Sequence, residues 1–218
     1  MKKRLIVWML LAALTLSLCA CAKAPAAESA EAQAAPAETA EAAAEPAAAG
    51  RQDGERFEET IQLEGMEETV RYEHVRNEAL GFELDYEFED LERRSEAECE
   101  RFISRWDDPA DPWNYLEVRS DTGSAERVAS ALAATLAGAY DTVETQEYTL
   151  ARAGECLQIF ASGAREGSVP GSLQTVYVIP AGNGCLVAAA HYTYESAEGF
   201  GRRFEYMLDT LTALEGRG

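Results

Sequence analysis

The sequence predicts an α+β domain: an antiparallel β-sheet of about six to seven strands packed by two or three helices. Three observations carry that expectation. Phe82, Leu84 and Tyr86 alternate with Glu83, Asp85 and Glu87, the period-two pattern of a strand with one wet face. Four strand-like runs follow one another at 142–150, 155–162, 173–179 and 185–194, and the later connections, 163–172 and 180–184, are Gly-rich and short enough for hairpins. Phe200, Phe204, Met207, Leu208, Leu211 and Leu214 then recur at helical spacing near the C-terminus.

Taken in order, the chain begins with Lys2-Lys3-Arg4 and an apolar stretch over 5–18. That stretch is shorter than the roughly 20 residues a bilayer span needs. It closes on Leu18-Cys19-Ala20-Cys21, in which Cys21 has Leu three places before it and Ala immediately before it; Cys19, preceded directly by Leu18, fits less well. The segment resembles the lipobox of bacterial lipoproteins. The resemblance implies residues 1–20 as a signal peptide, cleavage between Ala20 and Cys21, and a diacylglyceryl group on the Cys21 sulfur holding the chain to the extracytoplasmic side of a cell membrane. An ordinary secreted protein cut near Ala22 and an uncleaved anchor are the alternatives. Two or three acyl chains, at about 0.8 kcal/mol per buried methylene, would hold more firmly than one.

Residues 21–56 are read as a disordered tether. From Ala22 to Gly50 the chain is mostly Ala, Glu and Pro, without Leu, Ile, Val or any aromatic residue. It therefore has too little apolar surface to offset the entropy of ordering, and Pro25, Pro36 and Pro46 interrupt the helix that Ala and Glu favour. Residues 57–218 are read as a single domain, long enough to bury a core without staples. The formal net charge of the chain is −20, and beyond Arg51 every basic residue is Arg. This balance argues against nucleic acid and against direct adhesion to anionic lipid. Cys99, Cys156 and Cys185 are an odd set; the last two are expected two strands apart, about 9.6 Å, beyond disulfide reach. All three are read as small buried hydrophobes.

Within the domain, strands are expected at 59–64, 68–75 and 81–87. Ser95-Glu96-Ala97-Glu98 matches a capping box, and Cys99, Phe102, Ile103 and Trp106 after it form one helical stripe, so a short helix is expected to about Arg105, stopped by Pro109 and Pro112. Residues 113–119 return to strand. A second helix starts near Ser124, with Val128, Leu132 and Leu136 on one face and Gly138 as its stop. The closing helix is expected over 197–214, capped by Ser196.

The acidic alternating strand Gly81-Phe82-Glu83-Leu84-Asp85-Tyr86, the run Asn183-Gly184-Cys185-Leu186-Val187, and Met207-Leu208-Asp209-Thr210-Leu211 in the closing helix together resemble the PsbP-like α/β sandwich of small bacterial lipoproteins. The likeness spans roughly 66–214. The family's Tyr-Pro-x-x-Trp-like segment is here Tyr86-Glu87-Phe88-Glu89, without Pro or Trp. The resemblance implies a non-catalytic accessory or binding protein, and fold alone transfers no function.

Catalytic motifs are absent from the sequence: there is no Gly-x-Ser-x-Gly elbow, His-Glu-x-x-His pair, P-loop or dinucleotide glycine pattern. His74 and His191 both lie in strand patterns, and His191, continuing the Val187 and Ala189 face, is expected to be a satisfied sheet histidine, the alternative being a catalytic base. No catalytic residue, metal site or cofactor is assigned. One segment breaks local rules: Asp107 and Asp108 would sit at a helix C-terminus, where the macrodipole disfavours anions, crowded by Trp106, Trp113 and Tyr115. With Asp111, these residues are the candidate ligand site, for a cationic or sugar-like molecule held between aromatic faces and carboxylates, the alternative being a Pro-shaped loop whose aromatics plug the sheet edge while the aspartates stay in water. For metal the segment is poorly built, because Pro109 and Pro112 replace the glycine turn of a calcium loop. The expected function is a lipid-anchored, monomeric binding or accessory module with a cell-envelope protein or a small molecule as partner. A structural or regulatory partner of an envelope complex and, further off, an unrecognised hydrolase are the alternatives.

Overall fold

The computed structural model describes residues 50–63, 66–164 and 171–214; the expected leader, Cys21 and most of the expected tether lie outside them. In chain order the elements are β1 (Arg56–Leu63), β2 (Met66–Asn77), β3 (Phe82–Glu87), β4 (Leu91–Ser95), β5 (Glu100–Ser104), β6 (Tyr115–Asp121), α1 (Ala125–Ala139), β7 (Tyr140–Leu150), β8 (Gly154–Ala164), β9 (Ser172–Ala181), β10 (Gly184–Thr193), a one-turn π-helix (Ala197–Gly201), α2 (Arg202–Thr210) and β11 (Thr212–Ala213). The architecture is α+β, with two antiparallel sheets. One runs β1-β2-β3-β11 and the other β4-β5-β6-β10-β9-β8-β7. The expected meander of the later strands is present, and β7 extends it to four strands.

The alternating apolar residues explain the layers. Leu116, Val118, Leu186, Ala188 and Ile179 face one side of the larger sheet, where they meet Phe82 and Leu84 of β3 and Phe204, Met207 and Leu208 of α2 in the main core. Ile159, Val176, Val178 and Val187 face the other side, against Val128, Ala129 and Leu136 of α1. α1 begins as expected, Ser124 accepting a hydrogen bond from the Arg127 backbone N–H at 3.4 Å. Gly138 does not stop it; the last turn passes through Gly138, and Tyr140 leaves the helix directly into β7. Gly184, which starts β10, is required by a close approach: a Cβ there would lie 2.1 Å from the Asp121 carbonyl oxygen of the neighbouring strand.

Three expectations are corrected. The described residues contain eleven strands in two sheets instead of six or seven. The helix expected after Ser95 is instead the β4–β5 hairpin, closed by a hydrogen bond from the Glu96 N–H to the Cys99 carbonyl at 2.9 Å. Helix propensity at 96–98 loses to burial. The strand places Glu100, Phe102 and Ser104 inward on one face, whereas a helix would have had to bury Trp106, which is 76% exposed. Buried Glu100 is held by Arg93 Nε, Ser95 Oγ and Asn77 Nδ2, each at 2.6 Å. The closing helix is the third correction: it is shorter than expected and begins with a π turn. Thr210 Oγ1 bonds back to the Met207 carbonyl at 2.7 Å, Leu211 turns extended into the core, and Thr212 and Ala213 pair with β3. Ser196 makes no cap; its hydroxyl goes to Asn114 and Thr193.

Cys99, Cys156 and Cys185 are free and buried, as expected. Cys156 on β8 and Cys185 on β10 have β9 between them and belong to cores on opposite faces of the sheet. Burial raises all three thiols, Cys99 to about 11, so they are poor nucleophiles.

Glu87, at the end of β3, is buried beside Arg203 of α2, which also approaches Glu68 and Asp90 at 3.5 Å. Burial is the main influence on Glu87 and lifts its carboxyl to about 7, against the opposing pull of Arg203. A carboxyl raised in the fold binds more protons than in the unfolded chain between about pH 4.5 and 7. Stability is therefore fully present below that window and declines as pH rises through it, by on the order of 1–3 kcal/mol. Glu87→Gln should flatten this decline, measured as the difference in urea midpoint between pH 5 and pH 8; an unchanged difference would refute the assignment.

Candidate functional site

The loop from Trp106 to Tyr115 connects β5 to β6, and no helix ends in it, so the dipole conflict expected at Asp107 and Asp108 is absent. Asp107 is turned inward and closes the loop: Oδ2 accepts the backbone N–H groups of Trp113 (2.8 Å) and Asn114 (2.5 Å), and Oδ1 accepts Asn114 Nδ2 at 3.1 Å. Asp108 Oδ1 accepts the Ala110 N–H at 2.9 Å, and the Asp111 N–H donates to the Asp108 carbonyl. Tyr115 stacks on His191, ring centroids 5.2 Å apart. The structure thus joins Asp107 to Trp113 and Asn114, and Tyr115 to His191. Trp106, Asp108 and Asp111 stay exposed and make no common site with them.

A different surface is concave. The π-helix and α2 cover only part of the inner face of the larger sheet, and where they stop an open groove of about 270 Å³ runs over β7, β8, β9 and β10. Its sheet side combines rings and amides. Gln146 Nε2 donates to Gln158 Oε1 at 2.6 Å, and Gln158 Nε2 donates to the Tyr177 hydroxyl at 3.0 Å, a polar ladder across three strands. Phe160, Tyr192 and Phe204 supply apolar walls, and Glu144 and Glu205 stand at the lining. Burial pushes the Tyr177 phenol up, so it stays a neutral donor and acceptor. Tyr148 meets Tyr177 edge-on at 5.4 Å, and its phenol is raised by burial and then by Asp209 and Glu205 of α2. Gly201 lets the π turn sit on Tyr192, whose ring would lie 3.3 Å from a Cβ there. A π turn beside a groove is a common companion of function.

Sequence reasoning missed these residues. Their signal was present: Gln158 and Thr175 are polar at positions where the strand alternation faces the core side. A polar residue on an inward face marks an incompletely covered sheet.

Both histidines are engaged in the fold. His191 Nδ1 lies 2.7 Å from the Trp113 carbonyl, and burial lowers the pKa of the ring. His74 is buried between β1–β3 residues, with Nδ1 2.7 Å from Asp85 Oδ1, while Asp85 Oδ2 takes Arg51 at 3.1 Å. His74 Nε2 has no hydrogen-bond partner, and the nearest carboxylate, Glu83, is 3.9 Å away. Neither histidine is among the groove's lining residues. No group of three or more His, Cys, Asp or Glu side chains among the described residues is placed to hold a metal ion. No helix among them is long and apolar enough to cross a membrane.

No family model and no curated protein matches the chain. A crystal structure from Bacteroides thetaiotaomicron VPI-5482 is similar over 63% of this chain and 47% of its own, with 14% identity and a TM-score of 0.40. The chain thus spans about half the length of that protein.

Proposed function

We propose that this protein is an extracytoplasmic lipoprotein, held to a cell membrane by a diacylglyceryl group on Cys21 and the Ala/Glu/Pro-rich segment that follows it, whose PsbP-like domain is a non-catalytic binding or accessory module. The observation that carries the binding role is the groove over β7–β10, where a ladder of neutral hydrogen-bonding groups lies among aromatic walls. Such a mixture, fixed hydrogen-bonding groups set among aromatic faces in a lining more polar than apolar, suits recognition of a polar partner. The groove replaces the Trp106–Tyr115 loop as the preferred site, because Asp107 spends its oxygens on closing that loop.

Two measurements test this reading. Cys21→Ser should abolish acylation and release the protein from the membrane fraction; a variant that still partitions with membranes and carries lipid by mass spectrometry defeats the anchor. Any ligand found by thermal-shift screening of the full chain in detergent should lose its stabilising shift in Gln158→Ala and Tyr192→Ala. A ligand indifferent to both substitutions defeats the groove.

A further inference from the structure

We propose that the partner of this module is an extended polypeptide segment rich in Lys or Arg, which adds as a strand to the outer edge of β7 and drops its alternate side chains into acidic grooves on either side. This rests on the reading of the β7–β10 groove as a binding surface and names what it takes.

Three observations converge on β7. It is the last strand of the larger sheet, and among the described residues it pairs only with β8, so one backbone edge of an eleven-residue strand is open to another chain. Natural sheets blunt such edges with Lys, Pro or short length. The opposite edge strand, β4, has five residues, and its Arg93 and Arg94 are held in ion pairs. β7 is long and has neither Lys nor Pro; its exposed edge charges, Glu144 and Glu147, are acidic and so deter acidic strands while leaving a basic one welcome, and Thr142, Thr145 and Thr149 keep it a good strand.

The second observation is the pair of grooves. Glu144 and Gln146 face the groove already described, and Glu147 and Thr149, on the opposite face, border a broader one of about 560 Å³ that also takes in Glu126 and Glu155. An added strand sends successive side chains to opposite faces, so both grooves receive them. The third is charge. Carboxylates border both grooves, and neither has Lys or Arg in its lining; Glu205 is the member already paired, with Arg202 at 2.6 Å. A second copy of this chain fits poorly, because pairing β7 with itself crowds together two strands that each expose Glu144 and Glu147 and carry no basic residue.

The test uses the full chain in detergent micelles and a labelled twelve-residue peptide of alternating Lys and Thr. Fluorescence anisotropy should show saturable binding that weakens with salt and falls about two- to fivefold in each of Glu144→Gln and Glu147→Gln. Both positions are exposed, so folding is unaffected. Hydrogen–deuterium exchange should show new protection in alternate amides of β7 and none in β4. Binding without β7 protection would overturn strand addition. Equal binding by a Glu-for-Lys peptide, with β7 protected, would overturn the cationic partner while leaving the groove reading intact. No binding by either peptide, while a screened ligand still depends on Gln158 and Tyr192, would overturn this inference alone. A concentration-dependent dimer with the same β7 protection would make a second copy the occupant and overturn it too.

Discussion

Removal of residues 197–218 should leave a chain that aggregates and shows no cooperative melt. Phe204, Met207, Leu208 and Leu211 are all 1% exposed or less, and they fill the space between β3 and the larger sheet. Each buried side chain of this kind contributes about 1.5–3 kcal/mol. Four of them together rival the roughly 5–15 kcal/mol by which a whole domain is stable. Their loss also uncovers Phe82, Leu84 and Leu186, which share that core. A graded form of the experiment is Phe204→Ala, expected to cost about 3–5 kcal/mol in urea denaturation. A cooperative calorimetric transition in the truncated chain would refute the role given to α2.

Arg93→Ala should destabilise by about 3–5 kcal/mol, far more than loss of an exposed ion pair. The reason is Glu100, whose side chain is fully enclosed and whose Oε1 receives Arg93 Nε at 2.6 Å. Ser95 and Asn77 supply dipoles to the carboxylate, and Arg93 supplies the neutralising charge. Without it a carboxylate stays buried and uncompensated. Adding Glu100→Gln to Arg93→Ala should therefore recover part of the loss, since the stranded charge is gone. If the double variant is no more stable than Arg93→Ala, the charge is not what the arginine serves.

That same network shows where the sequence was legible and where it was not. The meander was readable because Gly-rich connections separate runs of β-formers, and the Ser124 start of α1 because a cap and an apolar stripe agree. Around Ser95 the local signals pointed the wrong way: a capping box and a plausible stripe favoured a helix, and only partners distant in sequence, Asn77 and Leu116, make the strand preferable. The thiols were assigned correctly because strand spacing alone separates Cys156 from Cys185. The candidate site failed for a related reason. The Trp106–Tyr115 site requires a helix end that does not form there, while the groove depends on how far α2 reaches over β7 and β8, which no window of the sequence contains. The lipobox-like segment Leu18-Cys19-Ala20-Cys21 is local in every respect, and lies outside the described residues.

The order of strands in the larger sheet also fixes the order in which it can be built. β7 to β10 are joined by successive hairpins, so that half can zip together from contacts near in sequence. The β6–β10 seam is different, pairing Tyr115 with His191 and Asp121 with Cys185 across α1 and three intervening strands. Loop-closure entropy must be met before that seam returns anything, which makes it the slow step of folding. Until β10 arrives, β4, β5 and β6 are a three-stranded fragment with an unpaired edge, and synthesis delivers that fragment first. Its Glu100–Arg93 cluster and its ladder of Arg101 with Glu117 thus have a kinetic consequence: they keep a waiting sheet charged, and so slow to join another.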